Sequence, residues 1–363
     1  MYLTSPLNCA FGSLRRRVRA GTITRVKSRF GMVNKEAKRA MVHILIPDNL
    51  DKAGLNILSA AKDVTIQAAA KMSRDEVIAA IPNADALIIR SATKVDKTML
   101  EAAPKLKLVG RAGVGVDNVD LPAATERGVI VMNAPDGNTV ATAELAFALM
   151  LSLVRQIPAA MASMLAGQWD RKSFMGSELR GKTLGIIGFG RVGRAIAKRA
   201  LAFEMNVISY DPYISPEAPM AMNVTPVTLD ELYTKADFIT LHAQVSDENK
   251  HMINAESIGK MKPGVRIINA ARGALVDEAA LAQGIKDGKV GGAGIDVYNE
   301  EPPEAGNPLV GLKGVVHVPH LGASTLEAQD EVAVQIAQQT LDALFKNQYR
   351  NVVNPDVLQK TKA

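Results

Sequence analysis

Cysteine is almost absent: Cys9 is the only one in 363 residues, which excludes an intramolecular disulfide framework and a cysteine-built zinc site and fits a reducing compartment. The cytoplasm is the expected location. Long apolar runs are missing too. The longest, near Leu145–Val154, falls far short of the roughly 18 residues that a membrane span needs, so no membrane partner is expected. Low-complexity tracts and short-period repeats are absent as well, and no residue cluster suggests a metal site. Acid is nearly missing from the first forty residues, which hold ten Lys or Arg against Glu36 alone, while the remaining residues hold 33 basic and 36 acidic side chains. The formal charge of +6 therefore belongs to the leader. A nucleic-acid footprint needs a basic face on the folded body, and none is expected.

What is present is ordinary for a soluble globular protein: 47% apolar and 22% charged residues, in a length that suits two domains. Residues 1–40, Arg-rich and dotted with Ser and Thr, have transit-peptide composition, which would send the chain to a mitochondrion or plastid. Met41 opens directly into the apolar run Val42–Ile46, so the same segment reads equally as a disordered extension or a mis-assigned start. A binding arm is the third reading.

From Met41 on, short β-branched runs alternate with helical patterns. His43–Ile46, Ala86–Arg90, Leu106–Val109 and Val129–Met132 read as strands, separated by helical patterns such as Asp75–Ile81 and Lys97–Ala103. A second series has strands at Leu184–Ile187, Asn206–Tyr210, Phe238–His242, Arg266–Asn269 and Gly292–Asp296. Such alternation signals parallel sheets with helices on both faces, here in two α/β lobes. Thr139–Val154, after Pro135-Asp136-Gly137, reads as a helix connecting them.

Gly188-Phe189-Gly190-Arg191-Val192-Gly193 follows the strand Leu184–Ile187 and precedes the helical run Arg194–Ala202. A GxGxxG run alone is weak; between a strand and a helix it aims free backbone N–H groups at a pyrophosphate. Gly188 serves the tight turn, Gly190 the approach of the phosphates and Gly193 the close packing of helix on strand. Asp211 ends the next strand, 18 residues past Gly193, where an acid accepts from ribose hydroxyls and repels a 2′-phosphate. The expected cofactor is NAD rather than NADP. Three polar residues follow strands in the second lobe: Arg272, Glu301 and His320. Ligands of open α/β sheets bind beyond the carboxyl ends of strands, yet spacing alone leaves a surface ion pair, a solvated acid and a satisfied histidine open for the three.

Gly181–Gly190, Asn269-Ala270-Ala271-Arg272-Gly273, Asp296-Val297-Tyr298 with Glu301-Pro302, and Pro319-His320-Leu321-Gly322-Ala323-Ser324-Thr325 together resemble the D-isomer-specific 2-hydroxyacid dehydrogenases over about residues 42–356. Ile89–Val95, Gly110–Asp120 and Trp169–Gly176 are similar to the branch of that family that acts on 3-phosphoglycerate. The resemblance implies two Rossmann-like or flavodoxin-like domains: residues 41–139 with 325–363 binding substrate, and 140–324, inserted between them, binding NAD. It implies His320 as general base, Glu301 as its orienting partner and Arg272 as the anchor of the substrate carboxylate. It further implies that Arg90, Arg111, Gly113, Val114, Arg171, Arg272 and His320 meet the substrate, with Arg171 reaching across a dimer interface. The cofactor set is Gly188, Gly190, Arg191, Val192, Gly193, Asp211, His242, Ala270, Ala271, Arg272, Asp296, His320, Gly322 and Ala323, with Asp296 on the nicotinamide carboxamide and Arg191-Val192 on the pyrophosphate. Guanidinium forks suit a substrate with both carboxylate and phosphate, although Arg111 could instead pair with Asp117. Two departures stand out. Gln244 occupies a position where the family usually has proline, and the chain ends soon after Asn351–Pro355, so no C-terminal regulatory domain and no serine feedback are expected. The implied activity is NAD-dependent oxidation of 3-phosphoglycerate by a homodimer or homotetramer. A glyoxylate or hydroxypyruvate reductase is the alternative within the family, and a dinucleotide-sensing interaction protein the alternative outside catalysis.

Overall fold

The computed structural model describes residues 41–360; the reading of residues 1–40 as a leader lies outside them. The first lobe carries the strands β1 (Val42–Ile46), β2 (Val64–Ala68), β3 (Ala86–Ile89), β4 (Leu108–Arg111) and β5 (Ile130–Asn133). They form one parallel sheet in the order β2-β1-β3-β4-β5. The second lobe carries β6 (Thr183–Ile187), β7 (Asn206–Tyr210), β8 (Thr225–Pro226), β9 (Phe238–Leu241), β10 (Val265–Asn269), β11 (Val290–Ile295) and β12 (Val315–His317). Its parallel order is β12-β11-β10-β9-β6-β7-β8. Both are doubly wound sheets, with order reversing beside β1 in the first and between β6 and β9 in the second. Such reversals open a crevice at the carboxyl ends of the strands.

The strands β3, β5 and β9 are buried at every position, which is why they are legible as continuous apolar runs. Three strands escape sequence reading, and all are edges. In β2, Val-Thr-Ile-Gln-Ala leaves three residues exposed; β8 is two residues long and contains Pro226, tolerated where the missing N–H faces no neighbour; β12 is short and partly exposed. Asp51, Asp96, Asp120, Asp277 and Thr325 cap helices by accepting backbone N–H bonds, and Ser73 with Glu76 and Thr228 with Glu231 form full capping boxes.

The helix Thr139–Val154 is apolar on most faces because it packs on β10, β11, β12 and the helix Arg191–Ala202. Among the described residues no single helix is long and apolar enough to cross a membrane, although Thr139–Val154 and Ile157–Leu165 reach that length as a pair bent by 63°. Late in the chain, the helix Leu326–Lys346 returns to the first lobe, where Val332, Ala333 and Ile336 join the core of β1, β3, β4 and β5. Residues 351–354 then run along β5: Met132 bridges Val352 in antiparallel sense, and Asn354 Oδ1 accepts from Val131 N at 2.8 Å.

Candidate functional site

The glycine turn after β6 has the shape that its sequence implies. Gly188 sits at φ 91°, and a Cβ there would lie 2.6 Å from the His242 carbonyl carbon, so a side chain is excluded by both conformation and space. At Gly193 a Cβ would come within 2.1 Å of the Gly188 carbonyl oxygen. Gly190 faces open space, with no heavy atom within 4 Å of a Cβ built there. The helix begins at Arg191, three residues earlier than its apolar pattern implies, because extended Gly190 is its N-cap. No side chain caps it, so the first-turn N–H groups are left for an external acceptor.

Asp211 Oδ2 accepts from Phe189 N at 2.8 Å, and its Oδ1 accepts from Tyr213 N at 2.9 Å. It thus ties the glycine turn to the end of β7. Beside it lies a cavity of about 430 Å³ lined in part by Asp211, Ile214, Pro216, Pro226 and Val227. An uncapped 12-residue helix, an open Gly190 and a carboxylate at the lip of an apolar cavity fit the phosphates, ribose and base of a dinucleotide. His242 closes the end of β9 with Nε2 2.9 Å from Thr240 Oγ1; burial drives its pKa down to about 3, so it faces this region as neutral imidazole. Arg191 Nε pairs with Asp136 Oδ1 at 2.6 Å, on the connection that leaves β5.

His320 and Glu301 are brought together directly. His320 Nδ1 lies 2.5 Å from Glu301 Oε2, and Glu301 Oε1 accepts from Tyr298 N at 3.1 Å. The Glu301 hydrogen bond raises the His320 pKa. Burial pushes Glu301 up, but the His320 bond, the Tyr298 N–H and the neighbouring charges of His320 and Arg272 outweigh it and hold the carboxyl below its ordinary value. His320 occupies the left-handed region at φ 54°, an uncommon setting for a non-glycine residue. Asp296, expected at the nicotinamide, is fully buried and accepts from Leu321 N at 2.5 Å with Oδ1 and from Gly322 N at 3.0 Å with Oδ2. Its observed contacts thus hold the backbone just after His320. Thr142 Oγ1 donates to Gly322 O at 3.0 Å, and Gln329 Nε2 donates to Ala323 O at 2.6 Å, so the whole loop is fastened.

Arg272 reaches across to the first lobe, where Nε donates to Asp117 Oδ2 at 3.1 Å. Among the described residues the Arg111–Asp117 pair that was open from sequence does not form; Arg272 takes that carboxylate instead. Arg111 is left with Nη1 on the Ala112 carbonyl at 3.1 Å and a buried Nε without a hydrogen-bond partner. Burial, then the positive charges of Arg272 and Arg90, push its pKa down to about 10. Three guanidinium groups close enough to repel one another concentrate positive charge of the kind that suits an anion. Arg90 Nη1 donates to Asn49 O at 3.2 Å. Arg171 is exposed, on a turn whose N–H groups at Lys172 and Ser173 bond Asp170 Oδ1 at 3.0 and 3.1 Å; among the described residues no contact brings it to the other arginines.

Several supporting residues carry little sequence signal. Buried Asp48 accepts from Arg90 N at 2.6 Å and from Thr93 Oγ1 at 2.8 Å. Asn118 Nδ2 donates to the carbonyls of Arg90 and Thr93, both at 2.7 Å. Asn269 fastens the turn that bears Ala270 and Ala271: its Oδ1 accepts from Ala271 N at 3.1 Å and its Nδ2 donates to Arg272 O at 2.9 Å. Asp48, just past β1, and Asn269, the last residue of β10, lie where the crevice rule could have found them; Asn118 has no such signal. Gln244, the departure from the family pattern, has its carbonyl bonded by Asn249 Nδ2 at 2.7 Å.

The family model of the D-isomer specific 2-hydroxyacid dehydrogenase NAD binding domain matches residues 147–322. The crystal structure of a glyoxylate reductase from Paecilomyes thermophila is 31% identical with a TM-score of 0.79, covering 87% of this chain and 98% of that one. The chain belongs to the D-isomer-specific 2-hydroxyacid dehydrogenase family. Its second lobe is that family's NAD-binding domain. Among the curated members, the D-3-phosphoglycerate dehydrogenase of Methanocaldococcus jannaschii is 47% identical over 88% of this chain and 61% of its own length. The enzyme of the same name from Archaeoglobus fulgidus is 51% identical over 78% of this chain and 54% of its own. The chain thus spans less than two thirds of the length of these relatives.

Proposed function

We propose that this protein oxidises D-3-phosphoglycerate at C2 to 3-phosphohydroxypyruvate with NAD, the entry to serine synthesis. The observation that carries the reading is the cluster of Arg90, Arg111 and Arg272 around a buried guanidinium nitrogen without a partner, joined to a histidine–carboxylate pair. The identity of 47–51% to D-3-phosphoglycerate dehydrogenases supports the substrate. NAD supplies the hydride acceptor for the C2 hydrogen. Glu301 occupies His320 Nδ1, which leaves Nε2 to take the hydroxyl proton. Arg272 holds the substrate carboxylate, releasing Asp117, and polarises the forming carbonyl. Arg111 and Arg90 bind the remaining negative charge, and Asp211 selects NAD over NADP.

The assembly proposed is a homodimer. The helix Ile157–Leu165 buries none of its residues, and Met161, Leu165, Trp169 and Met175 all stand exposed; clustered exposed apolar side chains mark interaction surfaces. A second copy covering it would also give exposed Arg171 a site to reach. The reading is tested by initial rates of NADH formation with D-3-phosphoglycerate, beside NADH consumption with phosphohydroxypyruvate, hydroxypyruvate and glyoxylate. Strong preference for the phosphorylated pair is expected. Preference for glyoxylate or hydroxypyruvate would reassign the arginines to a smaller 2-keto acid, and no turnover with any of them would favour a dinucleotide-sensing role.

A further inference from the structure

The loop Gly113–Asp117 is the seat of the arginine cluster. A Cβ on Gly113 would lie 1.3 Å from Arg111 Nη1, and one on Gly115 would lie 2.0 Å from Arg272 Nη2; Asp117 holds Arg272 Nε. Both guanidinium groups therefore lie directly on this loop's backbone, and any shift of it re-aims them. Gly113 N bonds the Arg111 carbonyl at 2.8 Å, and Ala134 N bonds the Gly113 carbonyl at 2.9 Å. Val119 N bonds the Val116 carbonyl at 2.9 Å, and among the described residues one side chain bonds the backbone of this loop: Asn133 Nδ2 donates to Val114 O at 2.6 Å.

Asn133 is buried at the end of β5 and is itself fixed from two sides. Its N–H donates to the Asn351 carbonyl at 3.2 Å, and its carbonyl accepts from buried Gln339 Nε2 at 3.3 Å. Asn351 Nδ2 in turn donates to Gln339 Oε1 at 3.3 Å. The backbone of Asn133 is thus held at both its N–H and its carbonyl, and from that fixed base its side-chain amide bonds the loop under Arg111 and Arg272.

We propose that Asn133 is a positioning residue for substrate anion binding: through the Val114 carbonyl it fixes the loop that aims Arg111 and Arg272, and residues 339 and 351 hold it in place. It touches neither the dinucleotide turn nor the His320–Glu301 pair. This rests on the anion role proposed above for those arginines.

The experiment compares wild type with Asn133→Ala, and with Asn133→Ser, whose hydroxyl is too short to reach Val114 O but leaves a smaller void should the alanine variant fail to fold. Three readouts are taken: NADH dissociation constant by fluorescence, KM and kcat for the preferred substrate, and the thermal shift given by oxalate, a small dianion, in the presence of NADH. The expected result is an unchanged NADH constant, kcat within about threefold, KM raised about tenfold and the oxalate shift largely lost. An unchanged KM with an unchanged oxalate shift would overturn the proposal, as would parallel weakening of NADH and substrate, which marks general loosening. Wild type that prefers an unphosphorylated acid yet shows the same split overturns only the phosphoglycerate reading. Wild type without an oxalate shift overturns the anion role of the arginines and this proposal with it.

Discussion

His320 can act as a base at one nitrogen only because Glu301 holds the other, and the same bond raises its pKa above the ordinary value. The base must be neutral to take a proton, so kcat/KM for oxidation should rise with pH through that raised value. In Glu301→Gln the rising limb should move to lower pH and kcat should fall; a pH profile whose limb stays in place would remove the pair from the mechanism. His320→Ala should keep NADH binding and lose about 10²- to 10⁴-fold in turnover, read by fluorescence titration beside steady-state rates. Asp211→Ala should weaken NAD and improve relative use of NADP, since the carboxylate at the cavity is the group opposed to a 2′-phosphate. An unchanged ratio of the two cofactors would show that discrimination lies elsewhere.

The turn and helix that follow β6 separate two kinds of glycine. Gly193→Ala drives a methyl into the Gly188 carbonyl, 2.1 Å away, so helix and strand must part; both melting temperature and NADH affinity should fall. Gly190→Ala meets nothing within 4 Å in the protein, so the fold should melt as wild type does while the methyl obstructs the phosphates and weakens NADH. Equal loss of stability in both variants would contradict the assignment of Gly190 to ligand approach. The elements themselves were legible where burial is two-sided: β3, β5, β9 and the helix Thr139–Val154 show their burial as apolar runs. The edge strands β2, β8 and β12 were not, because none of their positions is fully buried and they are short or broken in apolar pattern.

Both lobes contribute to the proposed anion site, since Arg272 comes from the second and Arg90, Arg111 and Asp117 from the first. The exposed apolar face at Ile157–Leu165 bears on assembly. Met161→Asp should shift the sedimentation of a dimer toward the monomer, and a dimer that survives it must use another surface. Arg171→Ala should reduce turnover of phosphorylated substrate more than that of hydroxypyruvate, whereas equal losses would deny it a phosphate role.

Local chemistry was enough to make the dinucleotide site readable. A turn that needs glycine, a helix start and an acid on the next strand lie within about 25 contiguous residues, and each is required by backbone geometry rather than by distant partners. Arg272, Glu301 and His320 were visible as polar residues after strands, but their roles came from resemblance, because side chains 19 and 29 positions apart acquire a geometry only when the chain folds. Tertiary structure alone decided that Asp117 pairs with Arg272 and not Arg111, that Asp296 holds the loop after His320, and that Asn133 ties residues 339 and 351 to the anion loop. Neutral amides and backbone carbonyls carry no charge pattern or periodicity, so their partners are chosen by which strand ends the two sheets bring together.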